Sequence, residues 1–425
     1  MAFFLCFSVL VVASCTTTTP LFRSDNLHEE YGRKITNAGL KQTALGRQWF
    51  IAADKALTQP QTINLPYKET GYFPADKPAA VGLQFAVKRG EKVIIYLNKN
   101  PINGFAIYGD IWQVNENNKS SLALSLDTAK QNFTYEVKRT GNVIIRLQPE
   151  LLKSGNYTIA ITTGPSLAFP VAGNKGRIIS YYGSSRDAGK RSHEGVDIAA
   201  PFRTPAIAPA IGEVSRVTEN TLGGKVVFFN PANEDYTLYY AHLDEQLVTA
   251  GQRLKQGDTV GLIGNTGNAK NTVSHLHFGI YTFSGAIDPL PFINPVTKTP
   301  PDIKVPTESL YQPYRLSKAY KLNDTLVKSA TYVVPIAAAA NNYRVLLPNG
   351  QTAIVPALDM QAAEKPLKQI KVRQEEKLFE LPDGTAPVIT HIVPDTNLLL
   401  LAYYGGYAYV QYKAAFGWIK SEGRF

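Results

Sequence analysis

The sequence predicts a mainly β protein with a short helical segment near its N-terminus. Hydrophobic residues alternate with polar ones over many short stretches, which is the period of a strand with one buried face. The 425 residues include 27 prolines, 32 glycines and 23 tyrosines, a composition typical of β modules joined by turns. A chain of this length exceeds one ordinary domain, so we expect about three or four.

Residues 1–15 are predicted to be a lipoprotein signal peptide. An apolar run too short to span a bilayer ends in Val12-Ala13-Ser14-Cys15. This ending resembles the lipobox of bacterial lipoproteins, and the resemblance implies that Cys15 carries a lipid and anchors the chain to a membrane. No basic residue precedes the run, and a buried N-terminal strand is the alternative. The only other cysteine is Cys6, so the mature chain can form no internal disulfide.

Residues 16–60 are predicted to form a polar tether followed by two helical stretches. Asp25 or Asn26 can cap the first helix. Hydrophobic residues recur at helical spacing, as core-facing stripes, at Leu27, Tyr31 and Ile35 and then at Leu45, Trp49 and Ala52. Two histidines outside any motif, His28 and His391, are predicted to lie at the surface.

Residues 61–168 are predicted to form an antiparallel β-sandwich. Apolar residues alternate along paired stretches that are separated by turns such as Arg89-Gly90 and Thr140-Gly141. A sheet with one apolar face must pack against another layer. The alternating residues are Val81, Leu83, Phe85 and Val87; Val93, Ile95 and Leu97; Phe133, Tyr135 and Val137; Val143, Ile145 and Leu147; and Tyr157, Ile159 and Ile161.

The C-terminal part is predicted to hold a linker, residues 296–314, and two related modules, residues 315–360 and 376–425. In each module a tyrosine, Tyr343 or Tyr407, stands at the same distance before a similar apolar run. The close of the second module resembles bacterial SH3-like domains. The resemblance implies C-terminal SH3-like barrels, of which the first is degenerate.

Four of the six histidines fall between residues 193 and 277. If His275-Leu276-His277 is a strand, its two imidazoles project from one face about 6–7 Å apart while Leu276 packs behind them. His193 and Asp197 add a nitrogen and an oxygen donor. Two imidazoles and a carboxylate with a fourth position open are typical of catalytic zinc sites. For each motif alone, including His242, an ordinary strand histidine is the alternative.

Residues 171–295 resemble the lysostaphin-type, LytM-like zinc metallopeptidases. The resemblance is carried by His193-Glu194-Gly195-Val196-Asp197, Tyr240-Ala241-His242-Leu243, Gly264-Asn265-Thr266-Gly267 and His275-Leu276-His277-Phe278. It implies a central antiparallel-β peptidase domain in which the metal ligands for Zn²⁺ are His193, Asp197 and His277, and the catalytic residues are His242 and His275. Arg203, Ser274 and Gly279 depart from the family pattern beside the site. The stretch 261–267 is predicted to be either one rim of a cleft or a plain hairpin turn.

The resemblance implies a zinc-dependent endopeptidase that hydrolyses peptide cross-links of bacterial peptidoglycan. The alternatives are a non-catalytic wall-binding activator of other peptidoglycan hydrolases and an adhesion module. The net charge of +10 suits an anionic wall polymer, since nucleic acid is no partner for a secreted chain. Thr16 follows the lipobox cysteine, which favours the periplasmic face of the outer membrane in a diderm envelope.

Overall fold

The computed structural model describes residues 26–115, 117–186, 189–322 and 325–421. Within these ranges the protein is mainly β with a short N-terminal helical part, which confirms the predicted fold class. None of the described helices is both long enough and apolar enough to cross a membrane. The predicted signal peptide with Cys15 lies outside the described residues.

Two helices form the first part of the described chain, as predicted. The first, α1 (Leu27–Asn37), begins where the Asn26 side chain accepts hydrogen bonds from two backbone N–H groups. The second, α2 (Ala44–Thr58), is capped by Thr43. Ile35 and Trp49 from the predicted stripes are buried.

The prediction that His28 lies at the surface is wrong. Its side chain is only 5% exposed and stacks on Trp49 with ring centroids 4.6 Å apart. Its Nε2 lies 2.6 Å from Oε1 of Gln148. A polar residue can be buried where it has such a partner, and hydrophobic periodicity cannot reveal a partner 120 positions away.

The predicted β-sandwich is confirmed as two sheets around one core. The first sheet has the order β1-β3-β8-β5-β6, and the second contains β2, β9, β4 and β7. Residues of both, such as Leu83 and Ile159, are fully buried in a shared cluster. All of these pairings are antiparallel except β1 with β3. The strands are β1 Gln61–Thr62, β2 Tyr67–Phe73, β3 Val81–Val87, β4 Glu91–Asn100, β5 Ile107–Val114, β6 Ser120–Leu126, β7 Asn132–Glu136, β8 Gly141–Pro149 and β9 Gly155–Pro165.

The central part of the chain forms an antiparallel sheet with the main order β10-β13-β20-β17-β16-β15-β18. A separate hydrophobic core lies under it, with Tyr240 and Phe278 among its fully buried residues. The elements are β10 Arg177–Ser180, β11 Ser185–Arg186, β12 Arg191–Ser192, β13 Val196–Ala199, β14 Pro205–Ile207, β15 Gly212–Asn220, β16 Gly224–Pro231, β17 Thr237–Gln246, β18 Arg253–Leu254, β19 Thr259–Ile263, β20 His275–Thr282, β21 Gly285–Ile287 and the helix α3 Leu290–Ile293.

The C-terminal strands form two further cores, one for each predicted module. The predicted linker packs against the first of them through Ile303 and Val305. Assignment of the modules as SH3-like barrels stays a prediction. The strands are β22 Tyr314–Leu316, β23 Tyr320–Leu322, β24 Thr325–Val327, β25 Tyr332–Ala339, β26 Asn342–Leu346, β27 Thr352–Pro356, β28 Met360–Ala362, β29 Lys368–Lys371, β30 Glu376–Phe379, β31 Val388–Ile392, β32 Asn397–Tyr404, β33 Tyr407–Tyr412 and β34 Ala415–Lys420.

One sheet joins strands that are far apart in the sequence. Strand β25 pairs with β2, so the second sandwich sheet continues through β26 to β27. Buried Glu69 on β2 accepts hydrogen bonds from Nε and Nη2 of Arg344 on β26 at 3.0 and 2.9 Å. The hydroxyls of Tyr67 and Tyr157 also donate to Glu69, each at 2.6 Å. The first C-terminal module is therefore fused to the sandwich.

Candidate active site

Three adjacent strands of the central sheet place the predicted site residues in register. Asp197 on β13 pairs with His277 on β20, and His277 pairs on its other side with Ala241 on β17. His275 and His277 share one face, whereas Leu276 and Phe278 are fully buried behind them. The predicted alternation of this strand is confirmed.

Three donor atoms form a nearly equilateral triangle on this face. His193 Nε2, Asp197 Oδ1 and His277 Nδ1 lie 3.0 Å from one another in every pairing. Tetrahedral zinc with bonds of about 2.0–2.1 Å requires donor atoms about 3.3 Å apart. These three residues could hold a metal ion. The donor atoms lie slightly closer together than zinc requires, and small rotations of the side chains would remove this difference.

Hydrogen bonds from outside the triangle orient its donors. The Nδ1 of His193 donates to the carbonyl of Tyr181 at 2.9 Å, which leaves a lone pair on Nε2. Arg186 Nη2 donates to Oδ2 of Asp197 at 2.5 Å and to the Ser180 hydroxyl at 2.8 Å. Burial raises the pKa of Asp197, but the close contacts of its carboxylate with the imidazoles of His193 and His277 outweigh burial and hold the pKa well below its usual range. Asp197 is therefore an anionic donor.

The other two predicted histidines face the same cleft. His242 and His275 stand with ring centroids 4.9 Å apart. Each donates from Nδ1 to a backbone carbonyl at 2.8 Å, His242 to Thr266 and His275 to Val273. Burial, followed by the neighbouring His275 and His277, lowers the pKa of His242 to about 4. His242 is thus neutral near pH 7, with a lone pair on Nε2 available to accept a proton.

The tip of the β15–β16 hairpin supports His242. The backbone of His242 has a positive φ of 61°, rare outside glycine, and its N–H donates to the Gly223 carbonyl at 2.7 Å. A Cβ on Gly224 would lie 2.2 Å from Oγ1 of Thr266, so the tip approaches that loop as closely as glycine allows. The stretch 261–267 therefore lies behind His242 and supports it. The cleft itself is lined by residues that follow this stretch, such as Asn268.

A cleft of about 730 Å³ opens over the triangle. Its lining residues all lie between Arg186 and Tyr281, so neither the sandwich nor the C-terminal modules contribute to it among the described residues. One side carries the rings of Phe228, Tyr239 and Tyr281. Tyr239 lies 4.9 Å from Phe228 and 5.9 Å from Tyr281, centroid to centroid. The sequence reasoning identified neither Arg186 nor this aromatic side, because neither belongs to a spaced motif.

Comparison with protein families gives a match in the central part of the chain. Residues 191–289 match the model of peptidase family M23. The matched range contains all five predicted site residues, His193, Asp197, His242, His275 and His277.

Individual relatives are similar to part of the chain. The peptidoglycan DD-endopeptidase ShyC of Vibrio cholerae is 34% identical over 116 residues, which cover 27% of this chain and 24% of ShyC. The uncharacterized lipoprotein YgeR of Escherichia coli is 33% identical over 158 residues, 35% of this chain and 60% of YgeR. The chain thus spans about a quarter and three-fifths of these two relatives.

Among solved structures, LytU is 37% identical with a TM-score of 0.26, and the match covers 28% of this chain and 86% of that one. The family match covers the strands that carry the donor triangle. Residues 191–289 are therefore a LytM-like peptidase domain of family M23.

Proposed function

We propose that the chain is a zinc-dependent endopeptidase that hydrolyses peptide cross-links of peptidoglycan. The observation that carries this proposal is the division of five residues into two sets. Three donor atoms lie 3.0 Å apart as a potential metal site, and two histidines outside that set face the same cleft. The relative ShyC, a peptidoglycan DD-endopeptidase, suggests the substrate.

The donor set suits zinc. Two imidazole nitrogens and one carboxylate, His193, His277 and Asp197, leave a fourth position open, as in catalytic rather than structural zinc sites. The anchoring of His193 by the Tyr181 carbonyl and of Asp197 by Arg186 is the outer support expected around a metal. Zinc held there supplies Lewis-acid polarisation of the scissile carbonyl and a more acidic water.

The two remaining histidines supply proton transfer. With Nδ1 committed to a carbonyl, His242 and His275 each keep Nε2 for the substrate side. Either Nε2 can accept the proton of the attacking water, and the imidazolium so formed can donate that proton to the leaving amine. The open cleft leaves room for an extended peptide across both residues.

Purified cross-linked muropeptide dimers test this proposal. Zinc-loaded protein should convert dimers into monomers, followed by chromatography and mass spectrometry, while His275→Ala protein with zinc bound should not. Release of disaccharides would instead indicate a glycosidase, and release of intact stem peptides from the lactyl group would indicate an amidase. A zinc-loaded parent that is inert on dimers yet stimulates another wall hydrolase would identify the alternative, a wall-binding activator.

We further propose a location in the cell envelope, anchored by a lipid on Cys15. The relative YgeR is described as a lipoprotein. One acyl chain binds a membrane only marginally, so stable anchoring requires more than one. Cys15→Ser protein should leave the membrane fraction of cells for the soluble fraction, and unchanged partitioning would contradict the proposal.

A further inference from the structure

A row of paired residues leads away from the donor triangle across the central sheet. Gly279 lies two positions after His277 on β20 and therefore faces the same side of the sheet. It pairs with Tyr239 on β17, and Tyr239 pairs in turn with Phe228 on β16. Phe228 pairs with Arg216 on β15. We call these four residues, Gly279, Tyr239, Phe228 and Arg216, the cross-strand row.

A β-bulge in β15 turns Arg216 toward the cleft. Side chains alternate along a strand, so Val214 and Arg216 would share one face of a regular strand. Instead Val214 is fully buried in the core together with its partner Phe229. The register then shifts by one residue, and Arg216 pairs with Phe228, which lines the cleft. Bulges beside active sites commonly redirect a side chain in this way.

The guanidinium of Arg216 lies over an aromatic ring and keeps its N–H groups available. Its Cζ is 3.9 Å from the centroid of the Phe228 ring. The side chain is exposed, and no ion pair joins it to another described residue. Stacking uses the flat face of a guanidinium and leaves the N–H groups at its edge. Such an edge can bind a carboxylate through two parallel hydrogen bonds.

Neighbouring residues hold the rings of the cross-strand row in place. Phe228 and Tyr239 pack with centroids 4.9 Å apart, and both line the cleft. Asn220 donates from Nδ2 to the Tyr239 hydroxyl at 3.4 Å. A Cβ on Gly279 would lie 2.8 Å from Cε2 of Tyr281, so the glycine lets this third ring approach the row. The rings offer an apolar surface to the C–H groups of an extended ligand.

The spacing of the strands sets the distance between Arg216 and the donor triangle. Only β17 separates β20, which carries His277, from β16, which carries the Phe228 ring. Two strand spacings of about 4.8 Å place this ring, with the guanidinium over it, about 10 Å from β20. An extended peptide covers that distance in about three residues. A group bound at Arg216 therefore belongs to a residue about three positions from the bond to be cleaved.

Charge favours an anionic group beside Arg216. Arg216 is the one charged residue of the cross-strand row. Two acidic residues line the described cleft, and both lie on or just before β13. Asp197 belongs to the donor triangle, and Glu194 accepts a hydrogen bond from the Tyr281 hydroxyl at 3.2 Å. Three strands separate β13 from β15, so neither carboxylate neutralises Arg216.

We infer that Arg216 binds a free carboxylate of the peptide substrate, about three residues from the bond to be cleaved, while Phe228 and Tyr239 support the intervening chain. The inference rests on the proposed function and narrows its substrate to an acidic peptide. A guanidinium already held by stacking loses little freedom when it binds a carboxylate. An amide in place of the carboxylate carries no charge, so Arg216 should distinguish the two groups.

Calorimetry with cross-linked muropeptide dimers tests this subsite, with zinc-loaded His275→Ala protein so that the dimers stay intact. Two probes are compared, dimers with free carboxylates and the same dimers after amidation. His275→Ala protein should bind the free dimers at least about tenfold more tightly than the amidated ones. Adding Arg216→Gln should remove this preference by weakening the binding of free dimers alone. Arg177→Gln, at an exposed arginine near the opposite edge of the sheet, is the matched control and should keep the preference.

Steady-state kinetics with His275 intact give a second readout. Arg216→Gln should raise the KM for free dimers and leave kcat nearly unchanged, because Arg216 is remote from the reacting atoms. Equal affinity of His275→Ala protein for the two probes, no binding of either, or an equal loss for both in the Arg216→Gln protein would overturn the inference. A parent that does not cleave dimers, together with the preference for free carboxylates, would support the subsite and contradict the proposed function.

Discussion

At the residue scale, metal binding and proton transfer should be separable by substitution. Asp197→Ala removes one donor of the triangle, so zinc affinity should fall by more than the about 10- to 100-fold that loss of an outer partner costs. His277→Ala should behave alike. His275→Ala should keep most of the zinc affinity while losing cleavage, because its Nδ1 and ring lie outside the triangle. Competition with a chromogenic chelator measures the affinity.

The matched control is His391→Ala. This histidine is exposed and lies beside Glu375, away from the central sheet. It should change neither zinc affinity nor cleavage. Full activity in Asp197→Ala protein would contradict the ligand assignment, and loss of zinc in His275→Ala protein would contradict the division into two sets.

His28 predicts an acid sensitivity of the folded state. Burial, followed by the nearby charge of Arg146, lowers its pKa from 6.5 to about 4. Between pH 4 and 6.5 His28 binds a proton in the unfolded state but not in the folded state. The free energy of unfolding is therefore unaffected by His28 above about pH 6.5 and declines as the pH falls toward 4. The shift corresponds to at most about 3 kcal/mol.

Urea unfolding of the parent and of His28→Gln protein at pH 7.5 and 4.5 measures this contribution. The variant cannot gain a proton at this position, so its free energy of unfolding should decline less between the two pH values. An equal decline in both proteins would show that His28 is not the source of the acid sensitivity.

Local spacing was sufficient to predict some residues of the site and not others. His275 and His277 were predictable because strand alternation alone puts them on one face. Arg186 was not, since its contact to Asp197 depends on how a loop returns over the sheet. The burial of His28 depends on Gln148, on a strand remote in sequence.

At the element scale, the β15–β16 hairpin tip should control the position of His242. In Gly224→Ala protein the new Cβ would meet Thr266 Oγ1 at 2.2 Å, at a φ of 64°. The tip must move, and with it the Gly223 carbonyl that holds the His242 N–H. We expect a loss of stability of about 1–3 kcal/mol and a fall in kcat, with zinc affinity retained.

Gly39→Ala is the control for this substitution. Gly39 has a similar φ of 73°, but nothing lies within 4 Å of its added Cβ. Gly39→Ala protein should lose some stability through backbone strain but should keep its cleavage activity. If both variants lose activity equally, the close approach of the hairpin tip is not what positions His242.

Strands were predictable from the sequence where no charged residue occupies a buried position. Strand β9 alternates between buried and less buried residues and was predicted. The alternation of β5 is interrupted because buried Asp110 pairs with Arg146 on β8. On β2 burial alternates, but the core-facing position 69 holds a fully buried glutamate, so the sequence does not show the alternation. From sequence alone, a charged residue in the core is assigned to the surface, because the residue of opposite charge that pairs with it is not known.

At the scale of the whole molecule, the Glu69–Arg344 pair should couple the sandwich to the first C-terminal module. Arg344→Met would leave Glu69 charged and buried, at about 3–5 kcal/mol. Calorimetry should then show an earlier transition of the C-terminal strands, separate from that of the sandwich. Adding Glu69→Gln should restore part of the loss, because the uncompensated charge is gone. An unchanged single transition in Arg344→Met protein would contradict this coupling.

The pairing of Thr70 on β2 with Ala338 on β25 also bears on the order in which the chain can fold. The central sheet is built from one continuous stretch, 177–287, and can close as soon as that stretch is present. The edge of β2 stays unpaired until β25, which is synthesised much later, is available. An unpaired strand edge can pair with other chains. We therefore expect the capture of β25 by β2 to be the slow, concentration-sensitive step of folding, after the peptidase domain has formed.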